Sequence, residues 1–186
     1  MAAHREQIVT AAARRFRECG FDGISVADIM KEVGLTHGGF YRHFSSKEEL
    51  VAATAGRAFS EIIEQLQKVA DEAPGDRLEA VMCFYLSQRH HDHPGFGCPL
   101  AALGGELARK SASVKEVVTR GENRVLDFLS ALAPGKTKAL RRTQAIVALA
   151  SMVGGMVLAR GSSGSGLRKE VLHTIATAVP ATMSQT

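Results

Sequence analysis

The chain has 186 residues and an ordinary apolar content, enough to bury one sizeable core or a small domain beside a larger one. Its net charge of +4 and pI near 9.1 permit an anionic partner without requiring one. The three cysteines, Cys19, Cys83 and Cys98, are too few and too scattered for a disulfide framework or a zinc site.

The apolar pattern reads as helix after helix, with no run of strand alternation. The first predicted helix covers about Ala3 to Cys19, stacking Ile8, Ala12 and Phe16 on one face, and Gly20 closes it. Ser25 caps a second helix with Asp28 completing a capping box, Val26, Ile29 and Val33 form its apolar edge, and Gly34 ends it. A third helix is expected from Thr36 to about Phe44; the alternative is a loop over Gly38-Gly39 with the helix starting at Phe40. Ser45 paired with Glu48 predicts the cap of a long fourth helix reaching about Asp71. The stretch Ala73-Pro74-Gly75-Asp76 is a break, followed by a fifth helix over about Arg77 to His91 and a second break at His93 to Gly97. The sixth helix opens at Pro99 and the seventh runs from Ser111 or Ser113 to about Leu132. The eighth spans about Thr137 to Arg160, Gly161 to Gly166 has the composition of a flexible linker, and the ninth covers Leu167 to Val179 before Pro180.

Residues 1–50 hold seven Lys/Arg and seven Asp/Glu, so a nucleic-acid reading has to rest on local placement rather than bulk charge. That placement is specific. Phe40 and Phe44, four apart, share the inward face of the third helix and pack on Phe16, Val26, Ile29 and Leu35. The opposite face then presents Thr36, His37, Gly38, Gly39, Tyr41 and His43, with Arg42 at its edge and no acid among them. Small residues let a backbone approach base edges and phosphates, and free N–H groups at a helix start favour anions. Two adjacent glycines weaken a helix by about 1 kcal/mol each relative to Ala, a cost that stability alone would not select. Lys47, opening the fourth helix, is placed for a further phosphate contact.

Residues Arg5 to Val51 resemble the DNA-binding domain of the TetR family of transcriptional regulators. The resemblance rests on Ile8, Ala12, Phe16 and Gly20-Phe21; Ser25-Val26, Asp28-Ile29 and Val33-Gly34-Leu35-Thr36; Phe40-Tyr41-Arg42-His43-Phe44; and Ser46-Lys47-Glu48-Glu49-Leu50. It implies an all-α fold of nine helices. An N-terminal three-helix helix-turn-helix domain, residues 1–46, would precede a six-helix effector-binding and dimerisation domain, residues 47–186. It also implies a homodimeric regulator on a double-stranded DNA operator, with Ser25, Thr36, His37, Tyr41, His43 and Lys47 touching DNA, mostly at phosphates. Gly39 departs from the family, which more usually has a small hydroxyl residue there, and this shifts base reading toward His37 and the helix backbone.

In the remainder, Gly97-Cys98-Pro99-Leu100-Ala101-Ala102-Leu103 and Gly155 to Arg160 also look like stretches in one branch of that family. The resemblance implies a small-molecule effector pocket framed by the fourth to seventh helices. Phe59, Ile63, Met82, Tyr85, Leu86, Leu103 and Leu107 are candidates for a soft apolar lining, against the plainer reading of ordinary core. The eighth helix is apolar nearly all round from Ala145 to Ala159. That suits a dimer seam with the ninth helix through Val171, Leu172, Ile175 and Val179, against simple burial within one subunit. Continuity of the fourth helix from Lys47 into the effector domain would let a ligand alter the spacing of the two reading heads.

Other function classes have weaker signals. Cys98, just before the sixth helix, is a candidate redox or electrophile-sensing thiol on the same scaffold, against a small buried hydrophobe, while Cys19 and Cys83 are expected in packed helices. Adjacent residues on a helix diverge, so His90, His91 and His93 with Asp92 are expected to favour a helix C-terminus rather than a metal. No nucleotide loop, metal motif or catalytic triad spacing appears, which leaves a helical enzyme as a distant alternative and no cofactor expected. The run Ala145 to Ala159 is shorter than the roughly 20 residues that cross a bilayer, and the N-terminus lacks a secretory pattern, so a cytoplasmic protein is expected.

Overall fold

A computed structural model describes residues 2–184. Among them are nine α-helices, two short 3-10 helices and no strand. The helices are α1 (Ala2–Cys19), α2 (Val26–Glu32), α3 (Lys47–Glu72), α4 (Arg77–Tyr85), α5 (Gln88–Asp92), α6 (Pro99–Leu107), α7 (Ala112–Leu132), α8 (Lys138–Gly161) and α9 (Ser165–Ser184). The 3-10 helices are His37–Arg42 and Pro94–Phe96. The chain divides into two compact units. One holds the residues up to Glu61 together with Pro94–Gly121, and the other holds Ile62–His93 together with Glu122 onward.

In the first unit α1 packs on α2, α6 and the Pro94–Phe96 turn. Ile8, Phe16, Phe21, Ile29, Phe40 and Phe44 are buried at its centre. Each such side chain removed from water contributes roughly 1.5–3 kcal/mol. Gly20 (φ +78°) and Gly34 (φ +72°) end α1 and α2 in the left-handed region, which costs other residues strain. In the second unit α8 and α9 pack along each other, with α4 against both and α5 against α8. A Cβ on Gly155 would lie 2.6 Å from Ile175 Cδ1 and 3.2 Å from Leu86 Cδ2, so this glycine lets α8 meet α9 and α4 closely.

The structure corrects several sequence expectations. The third helix is a six-residue 3-10 segment rather than an α-helix, closed by Gly39 N–H to Thr36 C=O (2.9 Å) and His43 N–H to Phe40 C=O (2.9 Å). Gly38 and Gly39 weaken the α-helical alternative, and short 3-10 turns tolerate them. The expected fifth helix breaks at Leu86, and Ser87 re-caps α5 by accepting from His90 N–H. At α3 the capping pair is shifted by one residue. Ser46 Oγ accepts from Glu49 N–H, and the Glu49 carboxylate accepts from Ser45 N–H and Oγ, while Glu48 accepts from Ser111 N–H.

The Gly161–Gly166 linker shrinks to Ser162–Gly164, because α8 runs through Gly161 and α9 starts at Ser165. Helix α9 also continues through Pro180 to Ser184. Pro180 and Met183 are buried, and the buried Gln144 amide donates to Met183 C=O at 3.2 Å, which ties down the turn that proline weakens. Cys19 and Cys83 are exposed rather than packed. Helix α8 taken whole is long and apolar enough to cross a membrane by length and composition, although its apolar core run alone is not. Just under half of that stretch is buried within the chain.

Gly121 in α7 marks a close approach, since a Cβ there would lie 2.2 Å from Cδ2 of the buried Phe59 ring. Gly121→Ala is expected to cost about 1–3 kcal/mol by overpacking, read as a lower urea midpoint at unchanged m. Gly104→Ala in α6, whose added methyl meets open space, is expected to gain about 0.5–1 kcal/mol from helix propensity in the same assay.

Candidate nucleic-acid interface

The His37–Arg42 segment is seated from below. Phe40 and Phe44 stack with ring centroids 5.5 Å apart and an interplanar angle of 23°, and both are buried. Phe16 and Phe21 meet edge to face at 5.1 Å. With its two phenyl rings turned inward, the 3-10 helix exposes Thr36, His37, Gly38, Tyr41 and Arg42, with Gly39 and His43 half-buried. Tyr41 is 67% exposed, with its ring 6.2 Å from that of His37. No acidic side chain occurs between Thr36 and Lys47.

The two flanking residues are engaged within the chain. Ser25 caps α2 by accepting from Asp28 N–H (3.1 Å), and its hydroxyl donates to Asp28 Oδ2 (2.5 Å). These bonds, hydroxyl first and backbone second, hold the Asp28 carboxyl below the usual carboxylate range. The Lys47 ammonium donates to Phe21 C=O at 2.5 Å, lies 4.0 Å from Asp22 and sits over the Phe16 ring. The start of α3 is fixed further by Glu49, whose carboxyl is lowered by the Ser45 N–H and then its hydroxyl, and by Glu48, lowered by the Ser111 hydroxyl and N–H.

Residues that the sequence pattern did not single out hold this arrangement in place. Arg17, with a side chain only 1% exposed, donates to Ala13 C=O (3.0 Å), Gly97 C=O (3.0 Å) and Glu61 Oε2 (2.6 Å). Its one visible signal is the register Val9, Ala13, Arg17, which continues a buried stripe of α1. Glu106 in α6 accepts from Phe21 N–H at 2.9 Å and lies against Gly20. A cleft of about 550 Å³ in this unit is bordered by Glu6, Arg14, Arg17, Glu32, Glu61 and Phe96. Its charges are already paired: Glu6 with Arg57, Arg14 with Glu32 and Arg17 with Glu61.

Residues 8–54 match the model of the bacterial regulatory proteins of the tetR family. That stretch is a tetR-family segment. The chain is 33% identical over 117 residues to the HTH-type transcriptional regulator LmrA of Bacillus subtilis, covering 60% of this chain and 61% of that one. It is 24% identical over 129 residues to the HTH-type transcriptional repressor NemR of Escherichia coli, covering 68% and 65%. The match thus spans a little under two thirds of the length of these curated relatives. The fold matches across the chain. A TetR-family crystal structure from Chloroflexus aurantiacus superposes with TM-score 0.79 at 24% identity, covering 98% of this chain and 94% of that one. The reduced form of E. coli NemR gives TM-score 0.76 at 20% identity, covering 95% of each chain.

The other expected site residues fall in both units. In the first, Phe59 is sealed against Gly121, and Leu103 and Leu107 border a void of only about 10 Å³ with Phe16 and Phe21. In the second, Met82, Tyr85 and Leu86 are buried and Ile63 is half-buried. Cys98 occupies the N-cap of α6 and is 2% exposed. The histidines diverge: His90 is buried with Nδ1 2.6 Å from Tyr85 C=O, whereas His91 Nδ1 meets Asp92 at 2.7 Å. No group of three or more His, Cys, Asp or Glu placed to hold a metal occurs among the described residues.

Because the Asp28 carboxyl is lowered in the folded chain, its contribution to stability is complete above the unfolded value of 3.8 and is lost as pH falls below it. Ser25→Ala removes the main cause. The Asp28 titration followed by NMR is expected to move up toward 3.8, with the stability of α2 becoming less dependent on pH in that range. An unmoved titration would show that the cap does not set this carboxyl.

Proposed function

We propose that the chain is a ligand-responsive, DNA-binding transcriptional regulator, acting as a homodimeric repressor released from its operator by a small hydrophobic effector. One observation carries this reading: an exposed, acid-free 3-10 segment seated on buried Phe40 and Phe44 within the family-matched residues 8–54. A segment held by its inner face can offer Thr36, His37 and the backbone of Gly38 and Gly39 to the major groove while Tyr41, Arg42 and His43 reach phosphates. Ser25 and Lys47 lie at the flanks, where each exchanges an internal bond for a phosphate oxygen. The relatives LmrA and NemR are named as a transcriptional regulator and a transcriptional repressor, and neither name specifies an effector.

With the DNA selected from a random-sequence duplex library by the wild-type chain, Tyr41→Phe combined with Arg42→Ala is expected to weaken binding to all duplexes alike. The slope of log affinity against log salt should become shallower by about 1 for the lost phosphate contact. Unchanged affinity and slope would remove the reading segment from the interface.

Dimerisation through α8 and α9 is supported by the outer face of α8. Ile146, Val147, Val157 and Leu158 are exposed there, and they share one stripe with Ala150 and Gly154, beside which a Cβ would meet nothing within 4 Å. The opposite stripe, through Ala148, Met152, Gly155 and Met156, is buried within the chain. An apolar stripe of this length on a surface helix is the pattern of a self-associating face, and a two-fold dimer presents two reading heads to half-sites about 34 Å apart. The double variant Val157→Lys/Leu158→Lys is expected to sediment as a monomer and lose operator affinity while keeping its helical circular dichroism. A variant that remains a dimer would place the seam elsewhere.

A further inference from the structure

Helix α1 opens with Ala2, Ala3, His4 and Arg5, with no acid in its first turn. Arg5 fixes where that turn lies. Its guanidinium stands 4.7 Å above the buried Phe44 ring and 3.6 Å from Glu49 Oε1. Glu49 itself accepts from Ser45 N–H (2.7 Å) and Oγ (2.8 Å). Held in this way, His4 meets His43 edge to face, with ring centroids 6.3 Å apart at 86°. His43 ends the 3-10 segment. The pair thus joins the first turn of α1 to the reading face.

We infer that the first turn of α1 is part of the DNA-contacting surface, His4 and His43 acting as a paired donor set for backbone phosphate and Arg5 positioning His4. This rests on the DNA-binding reading above. Two neighbouring imidazoles repel one another when both carry a proton, and a phosphate bound across them relieves that repulsion, so DNA binding and protonation favour each other. The other charges around the pair are accounted for. On the same elements and on α3, Arg5 and Arg42 carry positive charge, the Glu49 carboxylate is engaged by Ser45 and Arg5, and Glu6 pairs with Arg57. The contact is blind to base sequence, and it adds affinity that grows as the pair gains a proton.

The test uses the full-length chain and a duplex selected by the wild type from a random-sequence library, with affinity measured by fluorescence anisotropy over a salt series at about pH 6 and about pH 8. The wild type is expected to bind more tightly at the lower pH. His4→Ala, an exposed substitution, should lose about tenfold at about pH 6 with a salt slope shallower by about 1, and little at about pH 8. His4→Lys should restore the affinity and the slope while removing most of the pH dependence, an outcome that a merely structural role for His4 would not produce. A His4→Ala chain with the affinity, slope and pH profile of the wild type overturns the inference and leaves the DNA-binding reading intact. Failure of the wild type to select any duplex overturns both.

Discussion

The inward packing of Phe40 and Phe44 is the constraint on which the interface depends. Six residues of 3-10 helix containing two glycines have no stability of their own, since a short helix pays its nucleation cost without enough bonds to recover it. Two stacked rings, buried like Phe16, Phe21 and Ile29, supply that stability from beneath. The same anchoring decides which residues face outward, because with Phe40 and Phe44 committed to the core, Tyr41, Arg42 and His37 project from it. The upper surface is then free to be small and polar, and Gly38-Gly39, a defect in an isolated helix, becomes tolerable.

Phe21 is the second fixed point. Its N–H goes to Glu106, its C=O to Lys47, and its ring lies under the Lys110 ammonium at 4.7 Å. Arg17 makes a comparable knot nearby, donating to Ala13, Gly97 and Glu61. A guanidinium removed from water is costly unless its donors are used, and here they bond to two carbonyls and a carboxylate. Both knots tie the N-terminal helices to the segment around α6, so the compact unit is larger than the helix-turn-helix alone.

Much of this was legible from local pattern. The Ser25–Asp28 capping box forms, Gly20 and Gly34 end their helices with positive φ, and the spacing of Phe40 and Phe44 places both in the core. What local pattern could not supply came from distant partners. The persistence of α9 through Pro180 depends on the tertiary anchor of Gln144 on Met183, 39 residues apart. Arg17 could not be told from Arg14 and Arg15 by what it bonds, because its acceptor Gly97 lies 80 residues away. The α-helix expected over Thr36 to Phe44 was correct in facing but wrong in winding, because facing follows from two buried rings and winding from the propensity of two glycines.

The interface residues divide into two physical kinds. His37, Tyr41 and Arg42 project from the surface, so a DNA contact there is added to what the free chain already has. Ser25 and Lys47 are different: the hydroxyl proton of Ser25 lies on Asp28, and the Lys47 ammonium lies on the Phe21 carbonyl. A phosphate bond at either position replaces an existing one, and the net gain of such an exchange is small compared with a new charge-assisted bond. Under the DNA-binding reading, affinity therefore rests on the exposed set, and the exchange set makes affinity sensitive to the geometry of the Phe21 turn. A shift that draws the Phe21 carbonyl away from Lys47 leaves an ammonium without its internal acceptor and raises its gain at a phosphate. A shift that tightens the turn does the reverse. Under the DNA-binding reading, the geometry of the Phe21 turn therefore bears on affinity through Lys47.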